Sequence, residues 1–200
     1  MLYKSKWYPK LMYSFTVLKK MLSNTAFLFL DSIVVWLTIW IDIFLIGYYF
    51  NEYTIGIYKN SISMVNNLLA IFTAAIFPVF FSGLSRLQNQ ANDFKSYFFQ
   101  VQRVLSYILM PLGIGLFLYS DLATDIFFGS GWSDASSVVS LWSLSSVVVI
   151  LFSQMTSEAL KAMGRTKISF LIQVVHLITI IPIIIISSQV DFKFMVEIRN

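Results

Sequence analysis

The 200-residue chain is 58% hydrophobic and 12% charged, with a mean hydropathy of +0.75, values outside the range of soluble domains and inside that of multi-span membrane proteins. Its net charge of +4 comes without a basic stripe or recognition motif, which argues against a nucleic-acid partner. The absence of cysteine excludes a disulfide frame and thiolate metal sites, and a single histidine excludes most others. No cofactor or metal is implied.

Residues 1–23 mix Lys4, Lys6, Lys10, Lys19 and Lys20 with Trp7, Tyr8, Tyr13 and Phe15. They read as a cytoplasmic interfacial segment or an ordinary juxtamembrane lead-in. No cleavable secretory signal precedes the first apolar run, which is expected to stay in the protein. That run, 24–50, contains Asp31 and Asp42. A carboxylate in hydrocarbon costs a few kcal/mol on insertion scales and usually faces a cavity, a partner helix or a translocation path. Steps of seven and eleven residues return a helix to within about 20° of its start, so Asn24, Asp31, Thr38 and Asp42 share one face. The opposite face is Ile, Leu, Trp and Val. This is the pattern of an interior-facing helix with its polar stripe turned from lipid.

A short loop over 51–59, containing Gly56, leads to a second span at 60–85, bounded by Lys59 and Arg86 and long enough to cross with tilt. Asn60, Ser63, Asn67, Ala70 and Ala74 recur at helical spacing, a small and polar face suited to close packing or to lining a cavity. Pro78 kinks its far end, either as a packing feature or as a gating bend. A polar surface connection follows over 83–103. The third span has an uncharged run at the lower limit for crossing and borrows a turn, giving 101–120. Pro111, Gly113 and Gly115 make it flexible or closely packed. After a turn-rich interval ending near Asp134, the fourth span covers 135–157 and is closed by Glu158. The fifth covers 168–190 and carries Gln173, His176 and Thr179 at steps of three. A lone histidine there is a hydrogen-bonded packing residue or a proton relay. The tail, 191–200, is charged and cannot span. The fold class is therefore all-α integral membrane with about five transmembrane helices, and the lobe occupies 24–190.

With the amino terminus cytoplasmic, cytoplasmic segments hold 11 of the 14 Lys and Arg residues. The outer segments keep only Lys59, Lys193 and Arg199 and collect Glu52, Asp121, Asp125, Asp134, Asp191 and Glu197. The positive-inside rule favours this orientation and an odd span count.

The punctuation of the chain carries a resemblance. Asp42 precedes Ile46–Gly47, and Gly56–Ile57–Tyr58 follows; then come Phe77–Pro78, Pro111 with Gly113 and Gly115, Phe128–Gly129 with Trp132, and Ala162 with Gly164–Arg165. In this order the pieces resemble the second half of bacterial polysaccharide exporters, the O-antigen and teichuronic-type flippases of the multidrug, oligosaccharidyl-lipid and polysaccharide exporter superfamily. Such proteins are about twice as long and have two six-helix lobes facing a central cavity. The resemblance makes this chain most of one lobe, and a second-half fragment or one piece of a split transporter. The first lobe would come from a separate chain or a homo-oligomer.

The resemblance implies a rocking motion that carries an undecaprenyl-diphosphate-linked oligosaccharide, such as an O-antigen repeat unit of lipopolysaccharide biosynthesis, across the bacterial inner membrane. The partners it implies are membrane lipid and that lipid-linked substrate. Asp31, Asp42, Asn67, Gln154 and His176 are the candidates for lining a cavity or coupling to an ion. For the two aspartates, pairing with polar groups of adjacent helices is the alternative. Arg86, Arg103 and Arg165 sit near the cytoplasmic rim, where they could receive a head group, while no basic residue is expected inside a span. The rival readings are a non-functional truncated fragment and the lobe of a related drug exporter. An integral glycosyltransferase or sugar polymerase is disfavoured, because no loop is long and no exposed carboxylate pair has metal-ligand spacing. The chain is not read as an enzyme.

Overall fold

The computed structural model describes residues 15–188. Within that range the side chains of 16–21, 23, 24, 42, 183, 184 and 186–188 are not described, so the expectations for Asn24, Asp42, the segment 1–14 and the tail 191–200 lie outside the described residues. The described chain is helical: α1 Phe15–Tyr49, α2 Glu52–Arg86, α3 Ala91–Leu118, α4 Ser120–Phe128, α5 Ala135–Val148, α6 Met155–Ala162 and α7 Thr166–Ser188. A π-helical segment, Val149–Gln154, joins α5 to α6 so that Ala135–Ala162 runs as one rod. Among the described residues four helices are long and apolar enough to cross a membrane, and Thr166–Pro182 adds a shorter apolar one.

Several boundaries differ from the sequence expectation: α1 begins at Phe15 and not at 24, and the connection expected over 83–103 shrinks to 87–90, since α2 runs to Arg86 and α3 begins at Ala91. Residues 52–59 are not a loop but the first turns of α2, because the Asn51 side chain accepts the Thr54 amide at 2.9 Å and the Thr54 hydroxyl at 2.8 Å, capping the helix there. The turn-rich interval after α3 contains a helix, α4, which ends where Gly129 adopts φ 87°.

The buried residues of α5, namely Ala135, Val138, Val139, Trp142, Ser143, Ser146 and Val147, repeat at three and four, and this stripe packs against α2 and α3. Lipid is as apolar as leucine, so helices inside a membrane are held by close packing and not by transfer of apolar surface from water. Small residues provide the close approach. A Cβ on Gly113 of α3 would come within 2.6 Å of Val147 Cγ2 and 3.3 Å of the Ser143 carbonyl, and the Ser143 hydroxyl donates to the Gly113 carbonyl at 3.2 Å. The main core gathers Leu69, Phe80, Leu84, Leu105, Leu109 and Leu151. A smaller one joins Ile46, Ile57, Tyr58, Val138 and Ile180. The large side chains of α1 opposite its packed face, Trp36, Trp40 and Phe44 among them, are exposed, as lipid contact requires.

The helices alternate in direction, which gives the bundle two unlike ends. Tyr53 donates to Asp134 at 3.2 Å and Ser61 lies 3.5 Å from the Ala135 carbonyl, so the starts of α2 and α5 meet at one end, together with Glu52. At the other end Gln88 and Lys95, beside the α2–α3 turn, line one cavity with Met163 and Arg165 of the α6–α7 turn. One end is acidic and the other basic.

Candidate functional site

Asp31 is 3% exposed, buried where α1 packs against α7. Its position follows from the stripe read in the sequence: Asp31, Val34, Thr38 and Ile46 are all buried, one face of a 3.6-residue helix. Thr38 satisfies its hydroxyl on its own helix, donating to the Val34 carbonyl at 2.9 Å. Asp31 looks outward from its helix instead. Its carboxylate accepts from Ser169 of α7 at 3.3 Å and meets Lys161 Nζ of α6 at 3.2 Å. Lys161 also reaches Glu158 at 3.3 Å, and the Ser157 and Ser169 hydroxyls lie 2.9 Å apart. This network ties three helices together near the basic end.

Lys161 belongs to the same helical rod as the fourth span. The rod Ala135–Ala162 continues past Glu158, so Lys161 occupies its last turn, where a cation is favoured by the helix dipole, and points inward to Asp31. The rod then stops in a tight turn. Arg165 N–H donates to the Leu160 carbonyl at 2.9 Å and Gly164 N–H to the Lys161 carbonyl at 3.0 Å, with Gly164 at φ 71°. This is the left-handed helix stop that glycine makes without strain, and it aims α7 back so that Ser169 meets Asp31.

A cavity of about 280 Å³ lies between α1, α2, the α5–α6 rod and α7. Its polar lining is Asn66, Ser145, Ser146, Gln154 and His176, with Trp142 closing one side. The Trp142 indole N–H donates to Asn66 Oδ1 at 3.3 Å. Beyond that pair a second cavity, about 240 Å³, continues past Tyr58 and Ser63 to Lys59 and shares Ile39, Asn66 and Trp142 with the first. Tyr58 stands edge-on to Trp142 with ring centroids 6.1 Å apart. The two spaces therefore run along the bundle toward its acidic end, divided by the Asn66–Trp142 hydrogen bond.

The π segment places Gln154 there. A π turn inserts one residue into an α-helix and leaves its carbonyls out of step. One of them, Leu151, accepts from Gln102 Nε2 of α3 at 2.7 Å. Removing the inserted residue would rotate everything after it by about 100°, taking Gln154 off the cavity face.

Of the residues singled out from sequence, Gln154 and His176 share this cavity and Asp31 anchors the neighbouring network. Asn67 is exposed on another flank of α2, where it lines a third space of about 330 Å³ with Asn60, Ser63 and Phe128. Arg86 and Arg103 are exposed and do not line the cavity that Arg165 lines with Lys95. Sequence reasoning missed Asn66, Trp142 and Lys161. Asn67 marked the right turn of α2, but its neighbour Asn66, which lines the cavity, points about 100° away.

The space is a partly open pocket between helices apolar enough to span, with Asn66, Gln154 and His176 exposed in its wall. The family described as polysaccharide biosynthesis protein matches residues 1–137. The chain belongs to this polysaccharide biosynthesis family. It is also similar to the teichuronic acid biosynthesis protein TuaB of Bacillus subtilis (strain 168), at 25% identity over 172 residues, 84% of this chain and 35% of that protein. The chain thus spans about a third of the length of this curated relative. No solved structure matches it. As a multi-pass membrane member of the polysaccharide biosynthesis family, it carries its polar cavity largely on helices beyond the matched residues, since Trp142, Gln154 and His176 all follow residue 137.

Proposed function

We propose that this chain is part of a flippase that moves an undecaprenyl-diphosphate-linked oligosaccharide, the repeat unit of a surface polysaccharide, across the bacterial inner membrane. The observation that carries the reading is the polar cavity of Asn66, Ser145, Ser146, Gln154 and His176 set among helices that are otherwise apolar enough to span. A sugar chain crosses hydrocarbon only where hydroxyl and amide groups replace its water, and these side chains supply both donors and acceptors. Family membership and the printed name of the relative support a saccharide cargo. The charge difference between the two ends supports a cytoplasmic amino terminus, which sets the Asp31–Lys161 network at the cytoplasmic side and the Lys59 end of the cavity outside.

The small and polar face of α2, Asn60, Ser63, Asn67, Ala70 and Ala74, is exposed throughout. Three polar side chains on a lipid-facing surface would be costly. The face therefore fits a cleft shared with a further lobe, supplied by another chain or a second copy. Expression in cells lacking their own flippase, alone and with a six-span lobe from a relative, tests the reading by the amount of polymer displayed at the surface. Display is expected to return, and to be lost in Gln154→Leu and His176→Leu variants that still insert. Resistance to cationic drugs without restored display would instead make the chain part of a drug exporter.

A further inference from the structure

The largest of the described cavities, about 520 Å³, lies at the basic end between the start of α3 and the end of α6, away from the polar cavity. Lys95 and Arg165 line it, with Gln88 and Thr156 as further hydrogen-bonding groups and Phe98 and Leu160 in its apolar wall. The two cations contrast with Lys161 nearby. Lys161 has two carboxylates, whereas among the described residues neither Lys95 nor Arg165 is in an ion pair. The nearest acids by sequence are Asp93, which forms no ion pair among the described residues, and Glu158, which is held by Lys161 at 3.3 Å. A space of this size is within the range of small-molecule sites. Two cations without an ion pair among the described residues, beside an apolar wall at the basic end of the bundle, suit a phosphodiester joined to acyl chains.

We propose that this cavity holds the head group of an anionic glycerophospholipid of the phosphatidylglycerol type, as a resident lipid wedged between α3 and α6. Arg165 and Lys95 grip the phosphate, Gln88 and Thr156 bond the glycerol, and the acyl chains leave along Phe98 and Leu160. The site shares no lining residue with the polar cavity, and it assigns Arg165, expected from the sequence to receive the substrate's head group, to a resident lipid instead. Its occupant would fasten the end of the rod on which Lys161 and Glu158 sit.

The test is native mass spectrometry of the full chain, released from detergent after exposure to equal amounts of phosphatidylglycerol and phosphatidylcholine. The anionic lipid should be retained over the zwitterionic one. Each basic residue adds about fivefold to affinity for an anionic lipid surface, so Lys95→Gln/Arg165→Gln should lower retention by about 25-fold. Arg86→Gln/Arg103→Gln removes the same charge from positions that do not line the cavity and should leave retention unchanged. Equal loss in both pairs would mean diffuse attraction to the basic end and would overturn the proposal, as would equal retention of the two lipids. Displacement by millimolar inorganic phosphate would make this a free-anion site, which also overturns it. A photoactivatable phosphatidylglycerol added to the unaltered protein tests the same point without a variant. Crosslinks within 88–98 or 156–165 support the site, and crosslinks confined elsewhere contradict it.

Discussion

At the scale of single residues the molecule depends on a few polar contacts made away from water. Breaking a buried pair by removing one partner leaves the other charge stranded, on the order of 3 kcal/mol, whereas replacing both by apolar groups of similar size is close to neutral. Lys161 keeps Glu158 and is 22% exposed in its side chain, so Lys161→Met, which strands Asp31 among α1 and α7, should destabilise more than Asp31→Leu. The double variant should recover much of the loss. Thermal unfolding in detergent checks this, and simple additivity would show that the two charges do not interact. Gly164 is a second such position. With φ at 71°, Gly164→Ala is expected to cost about 1–2 kcal/mol although a Cβ there meets nothing within 4 Å, the reverse of an ordinary steric penalty. The stripe Asp31–Thr38 was legible from helical spacing alone. The partner of Asp31 was not, because Lys161 is 130 residues away in sequence and looked like one of three cations grouped around a glycine.

At the scale of elements, the α5–α6 rod decides how the cavity is lined. Its π segment is an insertion that no hydrophobic pattern announces, since Val149, Ile150, Leu151 and Phe152 read equally well as α-helix. Gln102 supplies what pattern cannot, a donor for the freed Leu151 carbonyl at 2.7 Å. Gln102→Leu should lower stability by about 1–2 kcal/mol. It should also turn Gln154 away from the cavity, read as loss of modification of a cysteine placed at 154. Retained modification with unchanged stability would mean that the π turn is held by other contacts. The crossing of α3 and α5 is equally specific. Gly113→Val overpacks a site where even a Cβ comes within 2.6 Å of Val147, and a loss of about 1–3 kcal/mol is expected. Proline and glycine within 111–115 signalled flexibility or close packing. The structure has close packing at Gly113, while a Cβ at Gly115 meets nothing within 4 Å.

At the scale of the whole molecule, the class of the protein was readable from composition, and its membrane-spanning helices from the spacing of charges. Helix starts were less so: Asn51 caps α2 nine residues before the uncharged run begins, because a cap depends on one side chain and not on average hydropathy. The cavity was legible only as a set of polar residues. Gln154 and His176 belong to it, but Asn67 falls on another flank of α2, since a one-residue difference rotates a side chain by about 100°. The acidic and basic ends of the bundle agree with the charge asymmetry of the loops, so the fold converts a linear count of lysine and arginine into two physically different surfaces.

The central claim is that water reaches the space between α1, α2, α5 and α7. The chain contains no cysteine, so single cysteines can be introduced without further change and treated, in intact membranes, with a hydrophilic thiol reagent that does not enter lipid. Cysteines at Asn66, Ser145 and Gln154 should be modified, while those at Trp36 and Trp40, exposed on the far face of α1, should not. If the cavity positions react no faster than the two tryptophan positions, the space is dry and the proposed path is contradicted.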